Sequence, residues 1–353
     1  MEIPLLNTAI SNSHLFGFCL AFLISLALVP LVRNICIKKG LYDLPDDRKI
    51  HETPIPRLGG VAIWFASCIT IGFLILWFWH YPHDNALSGM FAGGSIIFIL
   101  GVIDDVYGLS AKLKFFVQII AAGIAYMFGV QILALHIPFI DGVVQLGILS
   151  IPITIIWIVA ICNAFNFIDG VDGLAGGVTA ISAVTLGVVA YYTQQPVAAV
   201  VAAVIAGSML GFLVYNFPPA KIFMGDSGAL FAGFILASLT VTGVLKTVAF
   251  TILLPMIILS VPLLDITYAV FRRLAQGKSP FVADGEHIHH RLLKAGMSQN
   301  RTIMIFYFIC IASGVVAASL VHATRVYLIF LLGLLVLMFI IANSNRKKKV
   351  VET

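Results

Sequence analysis

Apolar runs of roughly 18 to 22 residues recur along nearly the whole chain of 353 residues, and each is long enough to cross about 30 Å of hydrocarbon as a helix. Charged residues make up 10% of the sequence, whereas soluble domains carry about a quarter. Because a helix satisfies its own backbone hydrogen bonds in lipid, these runs predict an all-α polytopic integral membrane protein.

Eleven transmembrane helices are predicted, with the N-terminus outside and the C-terminus cytoplasmic. The predicted spans cover residues 14–32, 59–79, 86–103, 115–135, 148–166, 174–192, 197–215, 228–244, 247–271, 302–320 and 325–342. Pro255 and Pro262 fall inside the ninth span and predict a kink or a break there. The whole chain, 1–353, is interpreted as one transmembrane domain. Its cytoplasmic loops are predicted near residues 33–58, 104–114, 166–174, 216–228 and 272–301.

The positions of the basic residues determine this orientation. With the N-terminus outside, 19 of the 21 Lys and Arg residues lie on the inner side, and only Lys246 and Arg325 lie outside. This agrees with the positive-inside rule, and an even number of spans would break the sorting downstream. Thirteen of the 16 acidic residues also lie inside, although the rule does not require it. A one-sided set of carboxylates indicates chemistry that faces the cytoplasm.

Two adjacent acids, Asp104 and Asp105, stand where the third span leaves the membrane, and Lys112 and Lys114 follow before the fourth span. Neighbouring carboxylates repel each other and are costly close to hydrocarbon. A divalent cation or a nearby lysine would relieve that cost. The alternative is an interfacial pair that simply reaches water.

The stretch "NAFNFIDGVDGLAGG" places four polar side chains at intervals of three residues: Asn163, Asn166, Asp169 and Asp172. On a continuing helix they would share one broad face, and the glycines among them indicate a tight turn instead. In either case oxygen-bearing groups gather at the inner interface, and such oxygens suit Mg²⁺ or Mn²⁺. The alternative is a capped turn with Asp172 as the N-cap of the sixth span.

The stretch "FMGDSG" places the carboxylate of Asp226 between Gly225 and Gly228, immediately before the eighth span. Glycines at these positions let backbone or ligand approach closely. Asp226 is therefore a candidate metal ligand, and the simpler alternative is an N-cap of that helix.

A histidine cluster, His287, His289 and His290, lies in the last inner loop beside Arg291 and Lys294. The spacing is not that of a zinc-protease helix. Histidines next to Arg and Lys are typical of an anion-binding patch with rotatable donors.

These motifs occur in the order typical of one family. "DLPDDRKIH", "PRLGG", "VIDDVYGLSAKLK", "NAFNFIDGVDGLAGG", "YNFPPAKIFMGDSGALFAGF", "DITYAVFRR" and "HIHHRLLKAGMS" resemble the polyprenyl-phosphate N-acetylhexosamine-1-phosphate transferases. "HIHH" and "PAKIFMGDSGAL" are similar to the WecA/TagO-like branch, the undecaprenyl-phosphate GlcNAc-1-phosphate transferases. MraY-type members carry a run of consecutive histidines that this chain lacks.

The resemblance implies a multi-pass enzyme of a bacterial cell membrane with its active site facing the cytoplasm. It implies Mg²⁺-dependent transfer of GlcNAc-1-phosphate from UDP-GlcNAc to undecaprenyl phosphate, which gives GlcNAc-diphospho-undecaprenol and UMP. Mn²⁺ is the alternative metal, and another UDP-N-acetylhexosamine is the alternative donor. The product would begin a cell-envelope glycopolymer, such as a teichoic acid. Membrane lipids and a second copy of the chain are the other expected partners, and no nucleic acid is expected.

The resemblance also implies roles for the polar residues. Asp226 matches the main Mg²⁺ ligand of the family, and Asn166 matches a residue close to that metal. Asp104 and Asp105 match a pair proposed to activate the lipid phosphate or to hold metal, and Lys114 matches a lysine on the pyrophosphate. The residues expected to bind substrate are Asn163, Asn166, Asp169, Asp172, His287, His289, His290 and Arg291.

Two other classes of protein are weaker interpretations. Cation transporters place ionisable groups near the middle of the bilayer, often with internal repeats. Here the acids gather at inner helix ends and no repeat is evident. "FMGD" also resembles, faintly, a motif of intramembrane aspartyl proteases. A neighbouring span should then contain a second aspartate, and the seventh span has none.

Overall fold

The computed structural model describes residues 3–44, 53–77, 85–135, 143–244, 253–277 and 287–351. These residues form thirteen α-helices and two small antiparallel strand pairs. The helices are α1 (Ile3–Lys39), α2 (Gly59–Trp77), α3 (Asn85–Tyr107), α4 (Ala111–Met127), α5 (Ser150–Phe167), α6 (Leu174–Tyr192), α7 (Pro196–Asn216), α8 (Gly225–Leu239), α9 (Leu253–Ile258), α10 (Ser260–Ala275), α11 (Ile288–Lys294), α12 (Gln299–Leu320) and α13 (Thr324–Val351). The paired strands are β1 (Tyr42–Asp43) with β2 (Ile55–Pro56), and β3 (Ala134–Leu135) with β4 (Val144–Gln145). A 3₁₀ turn precedes α5 and a π-helical turn follows α8.

Eight of the helices in the described ranges are long and apolar enough to cross a membrane: α1, α2, α3, α5, α6, α7, α8 and α12. The predicted class, an all-α polytopic membrane protein, is confirmed. The other three predicted spans fall on α4, on the α9–α10 pair and on α13, whose clearly apolar part is Thr324–Val336. The number eleven and the orientation stay predictions.

The ninth predicted span is divided, as its two prolines indicate. Helix α9 ends at Ile258 and α10 begins at Ser260, so the helix is interrupted at Leu259. Pro262 has no N–H to donate, and its ring would clash with the carbonyl of Ile258 four residues earlier. The predicted break is therefore confirmed, and its position follows from Pro262.

Helices α6, α7 and α8 form the centre of the bundle, with 83%, 83% and 89% of their most apolar windows buried. Small residues let their neighbours approach closely. A Cβ added at Gly207 or Gly211 of α7 would lie 2.2 and 2.5 Å from the carbonyl oxygens of Phe18 and Phe22 in α1. In lipid, this kind of close packing between small residues takes the place of the hydrophobic effect.

The beginning of α8 is enclosed by the backbones of α2 and α3. A Cβ at Gly60 would lie 2.1 Å from the Gly228 nitrogen, and one at Gly101 would lie 2.4 Å from Ser227 Cα. The residues before α8 are also hydrogen-bonded to β2, because Phe223 N donates to Pro56 O at 2.9 Å. The first turn of α8 is thus fixed on two sides by backbone contacts.

We expect Gly101→Ala to lower the unfolding temperature of the detergent-purified protein, because the new methyl group meets backbone that cannot rotate away. Overpacking of this kind costs about 1–3 kcal/mol. Gly123→Ala is the matched control, since a Cβ there has nothing within 4 Å. Equal unfolding temperatures for the two variants would show that α3 and α8 are not in backbone contact.

Candidate active site

Side chains from four helices meet at the first turn of α8. Lys114 Nζ of α4 donates to Oδ2 of Asp104 in α3 and to Oδ2 of Asp226 in α8, both at 2.9 Å. Asn166 Nδ2, at the end of α5, donates to the other oxygen of Asp226 at 3.0 Å. Asp226 keeps 27% of its side chain exposed, so the cluster is accessible from one side. The structure therefore brings together four of the predicted site residues.

The adjacent acids Asp104 and Asp105 have different partners. Asp104 Oδ1 accepts from Leu109 N at 2.6 Å, and its second oxygen contacts Lys114. Asp105 is 9% exposed and accepts from the backbone nitrogens of Asp226 and Ser227, at 2.9 and 3.1 Å. Since α8 has no side-chain cap from its own N-cap residue, Asp105 supplies the missing acceptor for its first N–H groups. Asp226 itself lies inside the helix and is not its N-cap.

Gly225 makes this arrangement sterically possible. Its φ is +73°, which L side chains rarely adopt, and a Cβ there would lie 2.4 Å from Asp105 Oδ2. The glycine before Asp226 is thus explained by the approach of Asp105, a partner that the sequence motif alone did not reveal.

Arg57 is one of the 19 basic residues that the predicted topology places on the inner side. Its Nη2 lies 3.0 Å from Asp43 Oδ1, and its Nη1 donates to the backbone oxygen of Asp105 at 3.4 Å. The β1–β2 pair holds Asp43 opposite Ile55, close to Arg57 in the chain. The first inner loop therefore places a cation beside the two adjacent acids.

A turn, not a continuing helix, follows α5. Helix α5 ends at Phe167, and Gly173, with φ +76°, precedes α6. Asp172 Oδ2 accepts from Ala220 N at 3.0 Å, and α6 shows no side-chain cap bond from its N-cap residue, so the predicted N-cap role of Asp172 is not seen. Tyr307 of α12 fixes the turn by donating to Gly173 O at 2.6 Å.

Asn163 lies one helical turn before Asn166 and is paired with Gln118 of α4. Its Nδ2 donates to Gln118 Oε1 at 2.6 Å and to Val159 O at 2.7 Å. The substrate-binding role expected for Asn163 stays a prediction. Gln118 was missed in the sequence, although a buried amide inside an apolar run is the kind of signal that marks a polar contact between spans.

Asp169 lies in the same turn, within the electrostatic influence of the other acids. Burial raises the pKa of the Asp169 carboxyl well above its usual range, and the negative charges of Asp226, Asp105 and Asp172 raise it further. A cation bound among these groups would act in the opposite direction.

The three histidines lie against this turn as a row of rings. His287 stacks on Phe167 with ring centroids 5.2 Å apart, His289 follows at 5.8 Å from His287, and His290 at 4.3 Å from His289. A Cβ at Gly170 would lie 2.7 Å from His289 Nε2 and 3.3 Å from His290 Nε2. Only a glycine at 170 leaves room for both rings.

His289 is fully buried, and neither ring nitrogen has a hydrogen-bond partner among the described residues. Burial, together with the neighbouring charge of His290, lowers the pKa of His289 to about 3. Burial also lowers the pKa of His290, with His287 and Lys294 adding to the effect. Both rings are therefore neutral near pH 7 in the ligand-free protein. Most buried polar side-chain atoms in native structures have a hydrogen-bond partner, so the unpaired ring nitrogens of His289 make it a candidate for contact with a ligand.

The remaining predicted residue, Arg291, lies in α11 and contacts α10. Its guanidinium donates to the hydroxyl of Tyr268 in α10 and lies over that ring, 5.4 Å from the centroid. A cation on a ring face is held in place by the ring quadrupole. The expected role of Arg291 in substrate binding stays a prediction.

The oxygen atoms available as metal ligands in this cluster suit a hard divalent cation. Asp226 and Asn166 carry the oxygens expected to hold Mg²⁺, and the Asp104 carboxylate lies across Lys114 from Asp226. Within the described ranges, no three His, Cys, Asp or Glu side chains are arranged to hold a metal ion. Mg²⁺ is commonly bound by one or two carboxylates together with substrate phosphates, so a sparse set of protein ligands suits it.

Comparison with known proteins identifies the class. The family model described as Glycosyl transferase family 4 matches residues 87–244. The chain is 38% identical over 322 residues to the probable undecaprenyl-phosphate N-acetylglucosaminyl 1-phosphate transferase of Bacillus subtilis, covering 91% of this chain and 88% of that protein. It is 36% identical to the decaprenyl-phosphate N-acetylglucosaminephosphotransferase of Mycobacterium tuberculosis, over 78% and 74% of the two chains. It is 29% identical to the undecaprenyl-phosphate alpha-N-acetylglucosaminyl 1-phosphate transferase of Escherichia coli K12, over 84% and 80%.

The fold, the site and these relationships define a membrane-embedded phosphoglycosyl transferase. The chain belongs to Glycosyl transferase family 4, among the polyprenyl-phosphate N-acetylhexosamine-1-phosphate transferases, and the resemblance stated from its motifs is confirmed.

We expect Asp105→Asn and Asp104→Asn to have different effects. An amide at 105 turns a donor toward one of the two backbone N–H groups of α8, so the unfolding temperature should fall, for a cost of about 1–3 kcal/mol. Asp104→Asn keeps an acceptor for Leu109 N, so it should lose turnover with a much smaller change in unfolding temperature. Thermal unfolding and turnover of both variants decide the point, and equal losses of stability would contradict the assignment.

Proposed function

We propose that the protein transfers GlcNAc-1-phosphate from UDP-GlcNAc to undecaprenyl phosphate. The observation that carries this proposal is the cluster in which Lys114 links Asp104 and Asp226 beside Asn166, in a chain 38% identical to an enzyme of that name. An oxygen of the lipid phosphate attacks the β-phosphorus of the donor, the bond from that phosphorus to UMP breaks, and UMP leaves. One phosphoanhydride replaces another, and the bond from the sugar to its oxygen is untouched.

Charge neutralisation and positioning are what the side chains contribute, as in other phosphoryl transfers. Lys114 Nζ presents a cation between two carboxylates, at a place where phosphate oxygens can replace one of them. Asp104, released from Lys114, can accept a proton from the lipid phosphate. That step is a weak requirement, because a phosphate monoester has a second pKa of about 6.

Asp226 and Asn166 are the residues that would hold Mg²⁺, and Mn²⁺ offers the same coordination chemistry. When bound, the metal neutralises charge on the pyrophosphate oxygens. Lys114 would then be free to contact the phosphate that leaves with UMP.

The histidine row supports binding of the soluble donor. His289 and His290 lie on the turn that contains Asp169, and their rings are neutral without a ligand. Each neutral ring offers one N–H donor, and a second proton would be favoured once phosphate charge arrives. Asp169 and Asp172 are proposed to line the nucleotide pocket on the same turn.

We assign the site to the cytoplasmic face of a bacterial cell membrane, because 19 of the 21 basic residues fall on that side in the predicted topology. The product would begin a cell-envelope glycopolymer, a teichoic acid being one example. Self-association into a homodimer stays a prediction from the family resemblance.

We expect Asp226→Asn to reduce turnover by at least about 100-fold, because a neutral amide is a poorer Mg²⁺ ligand and no longer pairs with Lys114. The unfolding temperature should change little, since the backbone of the first turn of α8 is held by Asp105. Turnover is measured with radiolabelled UDP-GlcNAc across a Mg²⁺ series, and Mg²⁺ stabilisation against heat is measured without substrate. Near-normal turnover with an unchanged Mg²⁺ response would falsify the metal assignment.

The donor is tested by competition between equal amounts of UDP-GlcNAc and UDP-MurNAc-pentapeptide, with UDP-GalNAc as a further arm. We expect GlcNAc in the lipid product, because the chain has "HIHH" and lacks the histidine run of MraY-type members. Steric clash with a bulky donor is sufficient for discrimination. A product carrying muramyl peptide would overturn the choice of donor and leave the reaction type intact.

A further inference from the structure

A buried carboxylate outside the Asp104–Asp226 cluster contacts the histidine segment, residues 287–290. Asp265 lies in α10 and is 1% exposed. His287 Nδ1 lies 2.7 Å from its Oδ2, and Ile288 N donates to its Oδ1 at 2.8 Å. Both oxygens of one buried acid are thus used by two consecutive residues at the beginning of α11.

Helix α11 needs such a contact in order to stay in place. It has seven residues, and helices this short are not stable alone in water. Its N-cap residue, His287, makes no side-chain capping bond, so Asp265 supplies the acceptor for the first N–H group of the helix. Loss of that acceptor would free the end of α11 that carries the histidines.

Asp265 also determines the state of the His287 ring. A carboxylate facing Nδ1 requires a proton there, so Nδ1–H is the donor. The oriented ring stacks on Phe167, the residue after Asn166, and His289 and His290 follow in the same row against Gly170. The position of the row relative to the turn at 168–173 is therefore linked to one hydrogen-bonded pair.

We propose that Asp265 is a positioning residue that holds α11 so that the histidine segment lies on the turn at 168–173, which rests on the proposed donor-binding role of those histidines. Asp265 acts through His287 and Ile288 and touches no substrate. The acid lies in the motif "DITYAVFRR", to which the sequence had assigned no role.

The first test is Asp265→Asn. The amide oxygen can keep the bond from Ile288 N, and its NH₂ then faces Nδ1, so the ring must move its proton to Nε2. We expect kcat/KM for UDP-GlcNAc to fall roughly 10- to 100-fold, the size found for groups that orient a metal-ligating histidine. The KM for undecaprenyl phosphate should stay within about twofold, because the loss concerns donor positioning. An unchanged donor kcat/KM in a folded variant overturns the proposal.

Ser260→Ala is the control on the same helix. It removes the hydrogen bond between Ser260 and Ser313, 2.9 Å apart, and tests whether general loosening of α10 affects the donor. We expect wild-type kinetics for this variant. A loss equal to that of Asp265→Asn would mean that α10 packing, and not the contact with His287, is responsible.

A double-mutant cycle tests whether Asp265 acts through His287. Asp265→Asn should add less than about a twofold loss in a His287→Ala background, since residues that act as one unit are not additive. Losses that multiply would show an independent role and contradict the proposal.

If Asp265→Asn does not fold, His287→Asn decides in its place. The amide N–H of Asn replaces Nδ1–H, so the pair with Asp265 is retained. This variant should keep at least about tenfold more donor kcat/KM than His287→Ala, the scale for a positioning bond. Equal losses would count against the proposal.

A readout independent of turnover separates this inference from the proposed function. Nitrogen-15 NMR of histidine-labelled protein should show the His287 proton on Nδ1 in wild type and on Nε2 in Asp265→Asn. Absent transfer from UDP-GlcNAc with the expected spectra would overturn the proposed donor alone. A wild-type ring without a proton on Nδ1 would overturn the positioning role alone.

Discussion

The bonds from the N–H groups of Asp226 and Ser227, in the first turn of α8, to the Asp105 carboxylate are the interaction on which the site depends. A helix end without a cap of its own would be costly this deep in a bundle, and a buried acid without donors would be costlier still. The Asp105 carboxylate and the two backbone N–H groups satisfy each other's hydrogen-bonding requirement. The glycines at 101 and 225 are required because the two backbones must approach closely enough for this bond. With the backbone of Asp226 held there, its side chain contacts Lys114 of α4 and Asn166 of α5.

Neighbouring residues on a helix point about 100° apart, and this explains how two adjacent acids divide their roles. Asp105 turns inward to the α8 backbone, while Asp104 turns toward Lys114 and the accessible side. The single charge of Lys114 then faces two carboxylates. Burial raises the pKa of nearby Asp169, and the charge of Asp226 raises it further. Such a cluster is short of positive charge before any substrate arrives. That shortage, and not a preformed cage, is the electrostatic argument for a divalent cation.

Periodicity and composition were enough to predict the fold class, most spans and the break near Pro262, because lipid leaves the backbone few options. The motifs also identified polar residues that the structure brings together, namely Asp104, Lys114, Asn166 and Asp226. Which of these side chains would contact one another was not predictable. Lys114 and Asp226 are 112 positions apart, and whether Asp104 or Asp105 faces α8 depends on helix rotation, which no local pattern specifies. Asp265 and Gln118 carried the weak signal of a polar group inside an apolar run, and their partners came only from tertiary packing.

The electrostatics of the histidine row also bear on the proposed recognition of the donor. Because burial keeps His289 and His290 neutral, they exert little long-range attraction on an anion, and attraction at a distance falls to the Lys and Arg residues of the inner surface. The histidines act only at contact, where direction matters more than charge. A ring that must be correctly oriented to donate gains from a fixed neighbour, and Asp265 provides one through His287. If the histidines bind the donor as proposed, separation of attraction from orientation would let the enzyme collect many phosphorylated solutes at its surface and still bind only the one whose phosphate oxygens meet the rings.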